Sequence, residues 1–226
     1  MADRLKNARL SVARSAARLF IERGVTATAG GDIAKGAGIS ERTVWRYFRN
    51  KESCVAPLLA RSWTQFADQM RLWPRDIPLE THLAACFDLD KRSPEELADA
   101  ILIVRLIAVV PNEPDLRSIW LLSYHHGEEA VGEIIADRLD RSSNDFDVRL
   151  CAVAVMGAVR IIDETISLAA VRYGQNFTTA EVVARMAEAI RSVSNLPFCD
   201  PVEPRPFGTR RTDPADRQAR QPKVIP

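Results

Sequence analysis

The chain reads as all-α, and three observations predict it. Apolar residues recur at spacings of three and four along nearly every segment. No alternating strand pattern exceeds a few residues, and no hairpin dipeptide joins two such runs. Helix stop signals (Gly24, Pro74, Pro78, Pro111, Pro114, Gly174) fall between the periodic segments. Together they predict about nine helices: a three-helix module over 1–51, a helical bundle over 52–196, and a disordered Pro/Arg-rich tail over 197–226. With 226 residues and 46% apolar content, a sizeable core is available.

In the first helix, Leu5, Ala8, Leu10, Val12, Ala16, Leu19 and Phe20 form one apolar face with basic residues between them, and Gly24 is a left-handed cap. Leu19 and Phe20 are core anchors. A short second helix, 30–36, turns Ile33 and Ala34 inward. Gly36, Ala37 and Gly38 make a corner too tight for large side chains, and at least one of them needs positive φ. Ser40 caps a third helix over 41–48, with Glu41 in its first turn. Val44 and Phe48, four apart, face the core. Arg42, Thr43, Arg46 and Tyr47 are left facing out, with Trp45 at the margin. That is the surface of a helix-turn-helix recognition helix: side chains for base edges, flanked by donors for phosphates. Lys51 and Ser53 open the next helix, whose N-terminus can also hold a phosphate.

Charge supports this division. Residues 1–51 hold eleven Lys/Arg against four Asp/Glu, whereas 52–196 hold fourteen against twenty-two, although the whole chain nets only +1. A basic head on an acidic body points to a polyanion partner for the head.

The run D-I-A-x-x-A-G-I-S-x-R-T-V-W-R-Y-F-x-N-K-E over 32–52 resembles the signature of the TetR family of bacterial repressors. The preceding helix, ending in Phe20 and Gly24, fits the same pattern. The resemblance implies an all-helical homodimer whose N-terminal module binds a palindromic operator in double-stranded DNA. Its C-terminal domain is then expected to bind a small effector. By position, Glu41, Arg42 and Thr43 match base-reading residues, and Trp45, Tyr47 and Lys51 match phosphate contacts; Trp45 alternatively shields the core. One departure stands out. The family has a threonine before the second helix that caps it and meets a phosphate; here Ala29, Gly30 and Gly31 fill that region, and the nearest hydroxyl is Thr28. Two glycines at a helix start cost roughly 1 kcal/mol each against alanine, so the second helix is expected to start late or firm up only on DNA.

In the body, 52–73 reads as one helix with the stripe Leu58, Leu59, Trp63, Phe66, Met70, bent at Pro57. Helices follow over 79–89, over 94–110 behind the cap Ser93, over 115–141, over 146–173 and over 179–194. Segment 146–173 is apolar on nearly all sides, which requires burial. With Val182, Val183, Met186, Ala187 and Ile190 of the last helix, it is expected to form a four-helix homodimer interface. Polar residues stranded on apolar helices are the effector candidates: Arg105 inside ILIVRLIAVV, Arg160, Asp163 and Glu164 within 146–173, and the cleft-lining candidates His82, Trp120, Tyr124 and His125. A bridge from Arg105 to Asp163 or Glu164 is the purely structural alternative. The layout PNEPDLRSIWLLSYHHGEEAVGEIIADRL is similar to family members that accept acyl-CoA-like or other long apolar ligands.

Other chemistry is unsupported. His125, His126, Glu128 and Glu129 make a single cluster in the reverse order to a Glu-x-x-His di-iron motif and read as a solvated face. No Ser/His/Asp arrangement, phosphate loop or catalytic carboxylate pair is present, so neither an enzyme nor a cofactor is expected. The four cysteines are scattered and contain no CxxC pair, which fits a reduced cytosol. The charged N-terminus and the absence of an 18-residue apolar run predict a cytoplasmic protein with no membrane partner. The expected function is a ligand-responsive repressor. The rival is a DNA-binding architectural or adaptor protein governed by a protein partner and lacking a small-molecule pocket.

Overall fold

The computed structural model describes residues 2–88 and 91–203, the side chains of 2, 3 and 62 excepted. The described residues form helices and no strand: α1 (Ala2–Arg23), α2 (Gly30–Ala37), α3 (Glu41–Tyr47), α4 (Ala56–Arg71), α5 (Leu79–Cys86), α6 (Pro94–Val109), α7 (Pro114–Leu139), α8 (Phe146–Tyr173) and α9 (Thr179–Val193). One continuous apolar core runs from Leu10 on α1 to Cys199 beyond α9.

In the head, Val12, Ala13, Ala16, Phe20, Ile33 and Val44 are fully or almost fully buried, so α1, α2 and α3 share one small core. Gly38 sits at φ 68° after α2, the left-handed conformation that a Cβ disfavours. A Cβ on Gly36 would collide with the Ser15 hydroxyl of α1. The α2–α3 corner therefore needs these glycines for separate reasons, backbone conformation and space. Ser40 caps α3 by accepting from the Thr43 N–H at 3.3 Å.

The entry to α4 differs from the sequence expectation. A 3₁₀ turn, Glu52–Val55, precedes α4, and Pro57 falls in α4's first turn. There its missing N–H has no intrahelical partner to lose, so no proline bend is required within the helix. The 3₁₀ turn is fixed by two bonds from Ser53 to Asn50: Ser53 N–H donates to Asn50 Oδ1 at 2.9 Å, and Ser53 Oγ–H to the Asn50 carbonyl at 2.7 Å.

The body packs α8 between α6, α7 and α9. Capping boxes at Ser93/Glu96 and Thr178/Glu181 start α6 and α9. Past α9, Phe198 and Cys199 are buried. The Arg138 guanidinium, lying 3.6 Å over the Trp73 ring, donates to the carbonyls of Phe198, Pro74 and Asp200. Residues 197–203 thus belong to the body, contrary to the expectation of a tail from 197; residues 204–226 lie outside the described residues.

The two parts are joined by charge as well as by α4. On α1, Arg14 Nε and Nη2 donate to the two carboxylate oxygens of Asp99 on α6 at 2.6 and 2.7 Å, and Arg14 also pairs with Glu95. Asp99 is buried. Arg61 of α4 approaches the same two carboxylates at 3.4 Å.

Candidate nucleic-acid interface and ligand cleft

The outer face of α3 carries the predicted surface. Glu41, Arg42, Trp45 and Arg46 are exposed, Thr43 and Tyr47 half-buried, and Val44 and Phe48 sealed in the core. Arg42 has no intramolecular partner among the described residues, which leaves its planar fork free for a base edge. Thr43 Oγ1 lies 2.9 Å from Ser40 Oγ, so both hydroxyls crowd the helix start. Arg46 folds over the Tyr47 ring at 5.1 Å and donates to its hydroxyl at 3.2 Å. These residues form one polar, cationic face.

Trp45 is held in place. Its Nε1–H donates to Glu41 Oε1 at 3.1 Å, and its ring lies against Gly30. A Cβ at Gly30 would collide with the indole, falling 2.8 Å from Cε2 and 2.9 Å from Glu41 Oε1. Gly30, in the region where the threonine is usual, therefore gives room to a tryptophan. Helix α2 nonetheless starts at Gly30, with Asp32 accepting from the Ala29 N–H at 3.2 Å and pairing with Arg23. That backbone bond, followed by Arg23, holds the Asp32 carboxyl below its usual range. The expectation of a late start to α2 is corrected: this carboxylate supplies the lock.

Two predicted contacts are placed differently. Thr28 is 2% exposed, and its hydroxyl donates back to the Gly24 carbonyl at 2.9 Å. It does not cap α2, whose N-cap Ala29 receives no side-chain bond, and it is sealed from a phosphate. The Lys51 ammonium donates to the carbonyls of Val25 at 2.7 Å and Thr28 at 3.3 Å, clamping the α1–α2 connection. A phosphate contact would require that ammonium to leave or share those acceptors.

In the body, a cleft of about 400 Å³ opens between α4, α5, α6, α7, α8 and α9, within the usual range for small-molecule sites. Of the predicted effector residues, Trp120, Tyr124 and Asp163 line it together. Arg105 is exposed on the outside of α6 and makes neither expected bridge; Arg160 pairs with Glu164 instead, at 3.8 Å. A lone arginine in an apolar run escapes burial by lying on the helix's wet side. His82 is buried outside the lining, stacked on Trp73 at 5.7 Å and bonded to the Gln69 carbonyl at 3.0 Å. Burial pushes its pKa down. Sequence reasoning did not single out Trp63, Phe66 and Met186 as cleft walls. They carry the ordinary apolar stripe pattern, which gives no sign that a face opens onto a void.

Within the cleft, Tyr124 Oη–H donates to Asp163 Oδ2 at 2.6 Å. Burial raises the Asp163 carboxyl to about 6, against the lowering effect of that bond. The Trp120 Nε1–H is buried with no hydrogen-bond partner among the described residues. The cleft's polar interior is thus an incompletely satisfied cluster inside aromatic walls.

On α8, Phe146 is 75% exposed, Leu150, Val153 and Ile161 are each 50% exposed, and Val171 is exposed too. Phe146, Leu150, Val153, Gly157 and Ile161 form a stripe at three- and four-residue spacing, and a Cβ on Gly157 would meet nothing within 4 Å. Val183, Met186, Ala187 and Ile190 of α9, expected at a dimer interface, are instead buried within the subunit. Among the described residues no helix is long and apolar enough to cross a membrane.

Residues 13–58 match the profile of bacterial regulatory proteins of the tetR family, and residues 78–195 match the MftR C-terminal domain. No curated protein sequence matches the chain. Similar solved structures include a tetR-family transcriptional regulator from Streptomyces coelicolor (19% identity, 83% of this chain and 82% of that chain, TM-score 0.55). They also include Salmonella enterica GusR (16% identity, 82% and 96%, TM-score 0.52). A third, Thermus thermophilus FadR in complex with lauroyl-CoA, has 19% identity over 82% and 92% of the two chains, with TM-score 0.50. At these identities the likeness establishes the fold.

Proposed function

The chain belongs to the tetR family of bacterial regulatory proteins, and from that premise we propose that it is a homodimeric, ligand-responsive repressor of transcription. Two copies meet along the uncovered stripe of α8 and present two α3 helices to a palindromic operator. A small molecule in the cleft releases it. The observation that carries this reading is the division of labour between head and body. A solvent-facing α3 bearing Arg42, Thr43 and Arg46 projects from a basic head, and the body beneath holds a cleft of about 400 Å³.

Helix α6 supports the coupling. It lines the cleft through Glu96, Ile103 and Ile107 and grips Arg14 of α1 through Glu95 and Asp99. A ligand that shifts α6 therefore acts on the head's orientation. A hundredfold loss of operator affinity needs about 2.8 kcal/mol of differential binding. The cleft, and its exposure of apolar and aromatic walls, favours a small-molecule regulator over an adaptor with a solid core.

Selection of bound duplexes from a random DNA pool tests the reading. The expected product is a two-fold symmetric site with half-sites about 34–36 Å apart. Arg42→Ala should relax preference at one base pair by about 1–3 kcal/mol. Recovery of no enriched sequence at low salt would refute the function.

A further inference from the structure

The acids at the rim of the cleft are already engaged. Asp88 pairs with Lys91 at 3.0 Å, Asp68 with Arg71 at 3.0 Å, and Arg92 donates to the Cys86 carbonyl at 3.1 Å. Glu96 accepts from Gln65 at 2.8 Å and closes the α6 capping box. Inside, the balance is different. Asp163 accepts one bond from Tyr124 and has no cation within ion-pair distance among the described residues. Arg160, one turn earlier on α8, bridges Glu164 and lies 5.9 Å over the Trp120 ring. Around this carboxylate stand aromatic rings: Trp63 packs edge-on against Tyr124 with centroids 4.9 Å apart, Trp120 against Tyr124 at 5.2 Å, and Phe66 against Trp63 at 5.9 Å.

Asp163 is half-buried, and a carboxylate drawn among aromatic rings without a counter-charge is costly. The ligand that relieves most of this strain is one that brings a positive charge. Aromatic faces around the same point add cation–π attraction. Resting on the reading of the cleft as an effector site, we propose that it takes an organic amine with an apolar, ring-bearing body. The ammonium sits on Asp163 beside Tyr124, and the ring lies among Trp63, Phe66 and Trp120. The orphan Trp120 Nε1–H offers a second anchor for any acceptor atom on the ligand. An anionic head group would instead meet Asp163 as a like charge.

Three probes share one body and differ only in head group: 4-phenylbutylamine, 4-phenylbutanol and 4-phenylbutanoate. Titrated calorimetrically into the full chain at pH 7.5, the amine should bind at least tenfold more tightly than the alcohol, and the acid most weakly. Asp163→Asn should bring the amine down to the level of the alcohol. The wild-type protein gives a check independent of that variant's folding. As pH falls below 6, the carboxyl protonates, and affinity for the amine should drop while affinity for the alcohol holds. The other titratable groups lining the cleft are Asp68, Asp88, Lys91, Arg92, Glu96, Cys86 and Tyr124. Of these, the acids Asp68, Asp88 and Glu96 are engaged at the rim by Arg71, Lys91 and Gln65; whatever preference they give the amine persists in Asp163→Asn, so the variant separates their contribution from that of Asp163. Equal binding of amine and alcohol, tighter binding of the acid, or an unchanged amine preference in Asp163→Asn would overturn the proposal. Operator binding is measured separately on the same samples. An amine that fills the cleft without changing operator affinity refutes the regulatory reading and leaves the site assignment standing.

Discussion

Gly30→Ala tests whether the unusual start of α2 exists to seat Trp45. In an open helix this change stabilises by up to about 1 kcal/mol, because alanine loses less backbone entropy than glycine. Here the new Cβ would land inside the indole's contact distance and 2.9 Å from Glu41 Oε1. Trp45 is 42% exposed, so it can swing outward and need not distort the backbone. Swinging out breaks its bond to Glu41, worth about 0.5–1.5 kcal/mol. Re-exposing roughly 70 Å² of ring costs about 2 kcal/mol more at 25 cal/mol per Å². The net expectation is destabilisation by about 1.5–3.5 kcal/mol, a fall in Tm of about 3–14 °C for a chain of this size. Operator affinity should fall with it, since α3 loses the side chain that braces its first turn. The assay is a double-mutant cycle of thermal unfolding and operator binding with Trp45→Ala. On the Trp45→Ala background, Gly30→Ala should be neutral or stabilising. An equal cost on both backgrounds, or a more stable single variant, would refute the steric argument.

Asp99→Asn keeps the shape of the side chain but removes the charge from the bidentate pair with Arg14; since Arg14 is partly solvated and keeps Glu95, the cost should be about 1–3 kcal/mol. Hydrogen exchange should show faster opening of α1 and α6, and unchanged exchange there would argue against the pair as a tie between head and body. Asp163→Asn should change the pH profile of stability. The folded carboxyl titrates near 6 and the unfolded one near 3.8, so in wild type the unfolded chain releases its proton first, and stability from this group falls as pH rises from about 4 to 6. The variant lacks this loss and should gain on wild type across that window, by at most about 3 kcal/mol at pH 7; parallel melting curves from pH 4 to 7.5 would contradict it. His82 acts in the opposite sense. Burial holds it neutral in the fold, so stability it permits at neutral pH should be lost as pH falls through about 6.5, where the unfolded imidazole gains a proton; His82→Gln should flatten that limb of the melting profile. Val153→Glu places a charge on the half-exposed stripe of α8, which costs a lone subunit little; sedimentation should show a folded monomer with weakened operator binding, and an intact dimer would move the interface elsewhere.

Most of the fold was legible because helices announce themselves locally. The α8 limits coincide with the periodic run from 146 to 173 and its Gly174 stop, and Ser40, Ser93 and the glycines of the α2–α3 corner are readable as caps and turns. The outward face of α3 was equally visible, since Val44 and Phe48 claim the core and leave the polar side chains no other side. Errors arose where a residue's fate depends on what lies across the fold. Pro57 reads as a kink within a long periodic run, yet a 3₁₀ turn ahead of α4 places it harmlessly at the start. Arg105 reads as buried, yet it occupies the outer side of α6. Val183, Met186, Ala187 and Ile190 of α9 read as interface residues and are consumed by the subunit's own core.

The local code, then, determined the helices, their caps, the basic head and the reading face, because each depends on neighbours three or four residues away. Only the tertiary structure decided that Gly30 makes room for Trp45, that Arg14 reaches Asp99 across 85 residues, and that Trp120, Tyr124 and Asp163 meet around a void. Those are contacts between helices. Packing sets them, and a one-dimensional pattern carries the face of a helix without carrying what that face will touch.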